Sequence, residues 1–376
     1  MHKPVKIRKF IFLALLFAIG LFLRLLFISA KTLDMGAYLE WYSFIARNGI
    51  AQSLGTQFFG YNPPFIYLLA VSTLTHSFLQ PVIAIKLIPI TFDIINSILV
   101  YQIVRTQYQD GLKPILGALI FWAAPTVMVN SSLWGQTDSL YTCFLLLAVF
   151  LLLKEKPTFA LIAFALSIAI KAQGILISPL LGILFFKKRI PFYSFFIIPF
   201  IYTATFIPTI LAGRPINSLF ATYGTQSETF AKASMNAANL YFLVGQHNYE
   251  TALYVGIPLA IIILLAWVLT YGLKKYEINK SNLIFSALVS VSLVPFILPK
   301  MHDRYFYPAD VFSIVMAFFF PKFWFVPMAY QFISLISYMP YLFNIRGETI
   351  IPFAIAVNTI TVLFLLWKQW VMTNEK

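Results

Sequence analysis

A short polar stretch between two apolar runs carries the densest chemistry in this chain. Residues 300–305 read Lys-Met-His-Asp-Arg-Tyr, and four of the six side chains carry or can carry a charge, although only 11% of all residues are charged. Ionisable residues beside a membrane span are costly and usually functional. The simpler interpretation is a turn whose Lys and Arg anchor helix ends at the lipid headgroups. Such a turn requires neither the His nor the acid, so the composition favours an anion-binding site.

A second polar strip, residues 130–139, reads Asn-Ser-Ser-Leu-Trp-Gly-Gln-Thr-Asp-Ser. Trp134, Gln136 and Asp138 follow one another at two-residue spacing and offer an aromatic face, an amide and a carboxylate. These are the groups that sugar recognition uses. Thr137 or Asp138 could instead cap the next helix. One cap requires neither Trp134 nor Gln136, so the strip favours a binding function.

Asp34 follows directly after the first apolar run. It precedes a helical stripe of apolar and aromatic residues that is typical of a helix lying on a membrane: Met35, Tyr38, Trp41, Tyr42 and Ile45. An Asp at this position is a favoured N-cap. It is equally a candidate general base at the membrane–water boundary, and the residues alone leave both interpretations open.

Two further motifs lie between apolar runs. Tyr61-Asn62-Pro63-Pro64 opens a short apolar segment, and its prolines favour a structural role as an extended entrance to a helix. Lys171, in the sequence Lys-Ala-Gln-Gly, either extends to the lipid headgroups or faces inward towards a phosphate, and both options stay open.

The composition defines a membrane protein. The chain has 376 residues, 60% of them hydrophobic, and a mean hydropathy of +0.83. Its net charge of +14 comes from short basic clusters between apolar runs, which is typical of cytoplasmic loops and argues against a nucleic-acid partner. Cys143 is the only cysteine and only four histidines occur, so the spacing predicts neither a disulfide nor a metal site. No P-loop or dinucleotide motif is present, and no cofactor is expected.

The hydropathy pattern predicts an all-α polytopic bundle of about twelve spans in a single transmembrane domain, residues 1–376. The apolar runs lie at 9–29, 86–104, 114–129, 138–153, 157–171, 174–186, 190–211, 250–272, 281–299, 305–320, 323–343 and 349–370. The first run is longer than a signal-peptide core, and Arg24 interrupts it, so we expect it to be retained. Asp93, inside the second run, is expected to pair with Lys86 or with a neighbouring helix.

Whether residues 64–79 cross the membrane decides which loops face the cytoplasm and which face the outside. If they lie in the membrane interface, the basic clusters all face the cytoplasm and both termini are inside. The polar motifs then share the outer face, in the large loops 30–85 and 212–249 and in the shorter ones between spans. Basic residues on an outer face oppose the usual charge bias, so an anionic ligand there would explain them.

Together these motifs resemble the polytopic type C glycosyltransferases that use polyprenyl-phosphate sugars, nearest to bacterial relatives of the GPI-anchor mannosyltransferases. The resemblance covers most of the first 190 residues and returns at 295–310. The family usually shows Asp-Tyr-Pro-Pro, where this chain has Gly60 and an inserted Asn62, and His-Glu-Arg-Tyr, where this chain has Asp303. The resemblance implies an inverting transfer with Asp34 as the base and a lipid phosphate held by residues 302–305.

The expected site follows from the motifs and this resemblance. Asp34 is the expected catalytic residue. The expected phosphate-binding residues are His302, Arg304, Lys300 and Lys171. The residues expected to contact the sugar or acceptor are Trp134, Gln136, Asp138, Tyr61, Asn62, Gln173 and Asp303. The expected partners are a polyprenyl-phosphate-linked sugar and the bilayer of the cell membrane, with the site on the extracytoplasmic face; the acceptor stays open between glycan, lipid and protein. The alternatives are a transporter or flippase of a lipid-linked saccharide and an outer-face polysaccharide polymerase or ligase.

Overall fold

The computed structural model describes residues 3–109, 111–219, 231–244 and 249–374, and these ranges are nearly all α-helical. The helices of the first half are α1 (Lys3–Phe27), α2 (Leu33–Asn48), α3 (Ile50–Leu54), α4 (Pro63–Ser72), α5 (Pro81–Arg105), α6 (Lys113–Trp122), α7 (Pro125–Met128), α8 (Asp138–Leu153), α9 (Pro157–Ile170) and α10 (Ser178–Phe186). Those of the second half are α11 (Ile197–Ala204), α12 (Ile207–Leu211), α13 (Leu240–Val244), α14 (Tyr249–Tyr254), α15 (Gly256–Leu273), α16 (Lys280–Ile297), α17 (Tyr307–Phe319), α18 (Phe325–Phe343) and α19 (Gly347–Asn374).

Shorter elements join these helices. A π-helical stretch continues α7 over Val129–Trp134, and 3₁₀ turns cover Thr73–Thr75, Ala172–Ile177, Phe192–Phe196 and Pro321–Phe323. Two short strands, β1 (Ser234–Met235) and β2 (Met301–His302), form one parallel pair.

The structure is that of a helical membrane protein. Among the described residues, five helical segments are long and apolar enough to cross a bilayer: Pro81–Arg105, Phe192–Leu211, Tyr249–Leu273, Lys280–Ile297 and Gly347–Asn374. The pair Lys113–Trp122 and Pro125–Trp134, bent by 46°, meets the same criteria when counted as one segment. Every apolar run of the sequence is largely helical, but several helices are short for a perpendicular crossing. The count of twelve spans therefore stays a prediction.

Helix α16 lies at the centre of the bundle. Each residue from Leu283 to Ile297 is buried, so this helix is enclosed on all sides, as expected of a helix that is apolar all round. Its few polar side chains have partners: Ser290 donates a hydrogen bond of 2.9 Å to the Leu176 carbonyl, and Ser286 accepts one of 2.9 Å from Gln369. The polar loop 300–305 begins just beyond the end of this rigid element.

The pairing of Asp93 is with a neighbouring helix and not with Lys86. Arg24 of α1 forms a buried ion pair with Asp93 of α5, with 2.8 Å between Nη2 and Oδ2. Arg24 Nε donates a second hydrogen bond to this carboxylate at 3.3 Å, and Ser131 donates a third at 2.6 Å. The Arg24 guanidinium also lies 3.7 Å above the Trp122 ring. These contacts compensate the cost of burying both charges.

Lys86 instead binds the carbonyl groups at two helix ends. Its ammonium group is fully buried and donates to four backbone carbonyls, those of Phe27, Ala30, Ser132 and Leu133, at 2.6–3.1 Å. The last carbonyls of a helix have no partner within the helix. One lysine therefore satisfies the ends of both α1 and the π-helical stretch, and it fixes them to each other.

The first large loop region contains α2 to α4. The apolar stripe on α2 faces the protein core, since Met35, Tyr38, Tyr42 and Ile45 are buried and Trp41 is half-buried against it. That α2 lies on the membrane stays a prediction. Helix α4 and its 3₁₀ continuation end at Thr75. At 1.5–2 Å per residue they extend about 20 Å, less than the ~30 Å of a bilayer core. This length agrees with the predicted interfacial position, which itself stays a prediction.

Candidate active site

The polar loop after α16 is held from two directions. The Asn239 amide donates to the carbonyls of Pro295 at 3.3 Å and Leu298 at 2.9 Å, which replaces the backbone donors that a helix end lacks. Strand β1 pairs with β2, and the amides of Lys300 and Asp303 donate to the carbonyls of Ala233 (2.8 Å) and Met235 (2.9 Å). Residues 233–239, within the expected outer loop 212–249, thus supply partners that orient residues 300–303. Residues 220–230 and 245–248 of that loop lie outside the described residues.

The strip 130–139 folds as a π-helical stretch followed by a sharp turn. Such stretches are frequent at functional sites. The chain turns at Gly135, whose φ of +77° lies in the left-handed region, and a Cβ there would overlap with the Met35 side chain. Glycine is therefore required for this turn and for the close approach of α2. The result is that Trp134 and Gln136 face Asp34.

Asp34 is half-buried and lies in the first turn of α2, one residue after the helix starts, so it is not the N-cap. Its Oδ2 accepts hydrogen bonds from Trp134 Nε1 at 3.0 Å and from Gln136 Nε2 at 2.5 Å. The other oxygen, Oδ1, is engaged by neither of these donors. The Asp34 backbone amide donates to the Tyr341 hydroxyl at 2.9 Å. The carboxylate is therefore oriented by fixed donors from a separate part of the chain.

Trp134 and Gln136 have a different position from the one expected for sugar-binding residues. Both are fully buried. The Trp134 ring is stacked on Tyr341 with centroids 4.9 Å apart, and the Arg304 guanidinium carbon lies 5.3 Å from its centroid. An indole covered in this way offers no free stacking face. Their contacts place Trp134 and Gln136 where they position Asp34, and the direct binding role expected for them stays a prediction.

Asp138 is likewise a counter-ion and not an exposed sugar ligand. It is fully buried, and its Oδ1 accepts a hydrogen bond of 2.5 Å from Lys171 Nζ. Its Oδ2 accepts a hydrogen bond of 2.9 Å from the Asn130 amide and lies 3.7 Å from Arg304 Nε. Lys171 therefore points inward, not to lipid headgroups. One carboxylate holds two cations beside Asp34.

Arg304 has hydrogen-bonding capacity to spare. A guanidinium carries five N–H donors. Among the described residues, Arg304 makes one hydrogen bond, 3.3 Å from Nη1 to Asp303 Oδ1, and its buried Nε has no hydrogen-bond partner. Although burial opposes its charge, Asp303 and Asp138 raise its pKa above the ordinary value, so it stays cationic. The planar guanidinium with spare donors suits an anion that offers two oxygens side by side, such as a phosphate.

His302 and Asp303 are both perturbed by this environment. Burial lowers the pKa of His302 to about 2, and the charges of Arg304 and Lys171 act in the same direction. The imidazole is thus neutral at neutral pH, so it can offer hydrogen bonds but carries no charge. Burial raises the pKa of Asp303 to about 7; Arg304 opposes this rise, and Asp34 and Asp138 add to it.

Tyr61 and Asn62 precede α4, and Tyr61 packs against α2 beyond Asp34. The Tyr61 hydroxyl accepts a hydrogen bond of 3.1 Å from Tyr38, and the Tyr61 ring packs 5.4 Å from Trp41. Tyr61 is only partly buried and can contact a ligand. Asn62, by contrast, is buried, and its amide donates to the Ala169 carbonyl at 3.1 Å. This contact gives Asn62 a structural role, and its expected binding role stays a prediction.

The remaining predicted residues border this cluster. Lys300 adopts a left-handed φ of +61°, and its ammonium group lies 5.3 Å from the Tyr249 ring centroid. Gln173 is partly buried, and its Oε1 has no hydrogen-bond partner among the described residues. It is therefore an acceptor that a ligand hydroxyl could use.

Sequence reasoning missed Tyr341 and Tyr338, which enclose Trp134 from α18. Tyr341 stacks on the indole, and Tyr338 meets its edge with centroids 5.3 Å apart. Their three-residue spacing places both on one helix face. An aromatic pair near a helix end is also typical of a membrane-interface belt, so the pattern alone does not identify a site.

Two other features bear on the chemistry. A groove of about 750 Å³ lies between α1, α6, α17 and α18 and reaches Lys113, towards the end of the α6–α7 pair away from Trp134. It is therefore distinct from the candidate site. Within the described ranges, no group of three or more His, Cys, Asp or Glu side chains is arranged to hold a metal ion.

The chain matches no known family model and no curated protein. What supports a function is thus the geometry of this cluster, together with the resemblance of its motifs.

Proposed function

We propose that this protein is a membrane glycosyltransferase that moves a hexose, mannose-like, from a polyprenyl-phosphate donor to an acceptor hydroxyl at the outer face, with inversion. The observation that carries the proposal is the arrangement around Trp134. A half-buried carboxylate, Asp34, is held by the indole N–H, and the guanidinium of Arg304 lies over the same indole. A base and an anion site thus lie next to each other, as the transfer requires.

The base is Asp34. Its Oδ2 is held by two N–H donors, so Oδ1 takes the proton of the acceptor hydroxyl. The acceptor oxygen then bonds to the anomeric carbon of the sugar from the face opposite the phosphate. The bond from that carbon to the phosphate oxygen breaks, and its electron pair leaves with polyprenyl phosphate.

The cations stabilise the leaving group, polyprenyl phosphate. Arg304 has unused N–H donors, Lys171 approaches from α9, and the neutral His302 adds a hydrogen bond. The charge on the phosphate grows as the sugar–phosphate bond breaks. Contacts that strengthen with this charge lower the barrier and not only the dissociation constant. The donor is already activated, so the step needs no cofactor.

The sugar and the acceptor lie between the base, Asp34, and the phosphate-binding cations, Arg304 and Lys171. Tyr61 and Gln173 are only partly buried, and the Oε1 of Gln173 has no partner among the described residues, so we assign both to hydroxyl groups of the sugar or acceptor. Trp134 and Gln136 act indirectly by positioning Asp34, and Asp138 acts indirectly by holding Lys171 and Arg304.

The proposal is tested with purified protein in lipid nanodiscs. The protein is supplied with a panel of polyprenyl-phosphate hexoses and with membrane extract as the acceptor source, and release of polyprenyl phosphate is measured. Release by the wild type but not by Asp34→Ala supports the proposal. Absence of release across the whole panel contradicts it and favours a transporter, which moves its substrate without breaking the bond.

A further inference from the structure

The buried charges of the candidate site already include an excess of acid. Asp34, Asp138 and Asp303 are three carboxylates, and the cations that form ion pairs with this set among the described residues are Lys171 and Arg304; His302 is neutral, and the Lys300 ammonium group lies beside the Tyr249 ring. A phosphodiester adds one more negative charge. Burying a further uncompensated charge costs several kcal/mol, as a rough general magnitude. The site therefore needs a way to lose a negative charge when the phosphate arrives.

The contacts distinguish the three carboxylates. Asp138 is satisfied by Lys171, Asn130 and Arg304, and Asp34 has two N–H donors and partial exposure. Asp303 is only 3% exposed, and among the described residues its cationic contact is the Arg304 guanidinium at 3.3 Å, supplemented by a hydrogen bond from the Arg304 backbone. That contact uses the guanidinium group that a phosphate would occupy. Asp303 is thus the carboxylate with the weakest support and in direct competition with the ligand.

We propose that Asp303 takes up a proton from solvent when a phosphate-bearing ligand binds at Arg304, so that the protonated carboxyl releases the guanidinium to the ligand. The inference rests on the proposed function, because it takes Arg304 as the phosphate site. The charged and titratable groups that face Asp303 among the described residues are Arg304 and Tyr305 in its own loop, Asp34 from α2, Asp138 from α8 and Tyr338 from α18. The packed strand β1 contributes only the Met235 carbonyl.

The proposal predicts the direction in which the affinity for the phosphate-bearing ligand changes with pH. Burial places the pKa of Asp303 at about 7 in the free site, and a bound anion raises it further. Below about pH 7 the free site already carries the proton, so affinity is independent of pH. Above it, affinity falls by up to about tenfold per pH unit, until the pKa of the bound state is passed.

Proton uptake is measured by isothermal titration calorimetry in buffers of different ionisation enthalpy. The probe is methyl dodecyl phosphate, a phosphodiester whose own charge is constant over this range. The wild type should take up close to one proton per ligand at about pH 8 and almost none at about pH 6. Asp303→Asn should bind the probe without proton uptake and with an affinity independent of pH, and Asp303→Glu should restore the uptake. Glu40→Gln, an exposed acid on α2, is the matched control and should behave as the wild type.

The outcomes separate the two proposals. Probe binding without proton uptake, or unchanged uptake in Asp303→Asn, overturns the role of Asp303 and leaves the transferase proposal standing. Failure of the wild type to bind the probe overturns both the linkage and the phosphate role of Arg304. Proton uptake in a protein that never cleaves a lipid-linked sugar would sustain the linkage and reject the transferase.

Discussion

Replacing Asp34 by Asn separates a general base from a structural residue. The substitution preserves the shape of the side chain and removes its charge and its ability to take a proton. One oxygen remains to accept hydrogen bonds from Trp134 and Gln136, which donate at 3.0 and 2.5 Å. Hydrogen bonds to charged groups contribute about 1 kcal/mol more than those to neutral ones. The helix dipole contributes a further ~0.3–1 kcal/mol for an acid in the first turn.

The expected loss in the free energy of unfolding is therefore about 1–3 kcal/mol, and the protein should still fold. The expected loss in sugar transfer is much larger. Removal of a general base lowers the rate roughly 10²–10⁴-fold, which corresponds to about 3–5.5 kcal/mol in activation free energy. Donor binding should be retained, because the phosphate contacts do not include Asp34.

The assay measures transfer rate, donor binding and thermal unfolding on the same preparation. Glu40→Gln removes an acid from the same helix at an exposed position and should leave all three unchanged. Transfer by Asp34→Asn within a few-fold of the wild type would refute the assignment of the base. A variant that loses transfer only because it unfolds would show a matching loss of donor binding.

Three further predictions address the cations, the buried ion pair and the topology. Arg304→Lys keeps the charge but loses the planar fork, so kcat/KM for the lipid donor should fall about 10- to 100-fold; an unchanged value would remove Arg304 from the phosphate site. Arg24→Leu or Asp93→Leu alone leaves one buried charge unpaired and should cost about 3–5 kcal/mol, whereas the double variant should recover most of the thermal stability. If the double variant is no more stable than the single ones, the ion pair is not what couples these sites. With residues 64–79 in the interface, single cysteines at Asn48 and Gly111 should react with an impermeant thiol reagent from opposite sides of the membrane, and labelling of both from one side would contradict the topology.

The helices and the motifs that form the site could be predicted from the sequence, because both depend on local patterns of residues. Apolar runs gave the helices, and the periodicity of α2 identified its buried face, including Met35 and Tyr38. The structure brings Asp34, residues 134–138, Lys171 and residues 302–304 into one cluster, through contacts of their side chains. The expectation that these motifs act together therefore agrees with the geometry.

The individual roles were not accessible, because they depend on residues far apart in the chain. Trp134 offered a stacking face on sequence grounds, but Tyr341, about 200 residues later, covers it. Asn62 was assigned to a ligand, whereas its amide is used by the Ala169 carbonyl. A strand pair of two residues each, β1 with β2, leaves no pattern in the sequence. Burial then decides protonation, which is why the neutral state of His302 was not expected.

The central claim is that the sugar–phosphate bond of a lipid-linked donor is broken at Asp34 and Arg304. The most direct measurement uses a polyprenyl-phosphate hexose that carries one label on the sugar and another on the phosphate, with purified protein in nanodiscs and membrane extract as acceptor. We expect the two labels to separate, the sugar passing to a new product with inverted anomeric configuration and the phosphate staying with the lipid, in the wild type but not in Asp34→Asn. If the two labels stay together for every donor, or separate equally well in Asp34→Asn, the claim is contradicted.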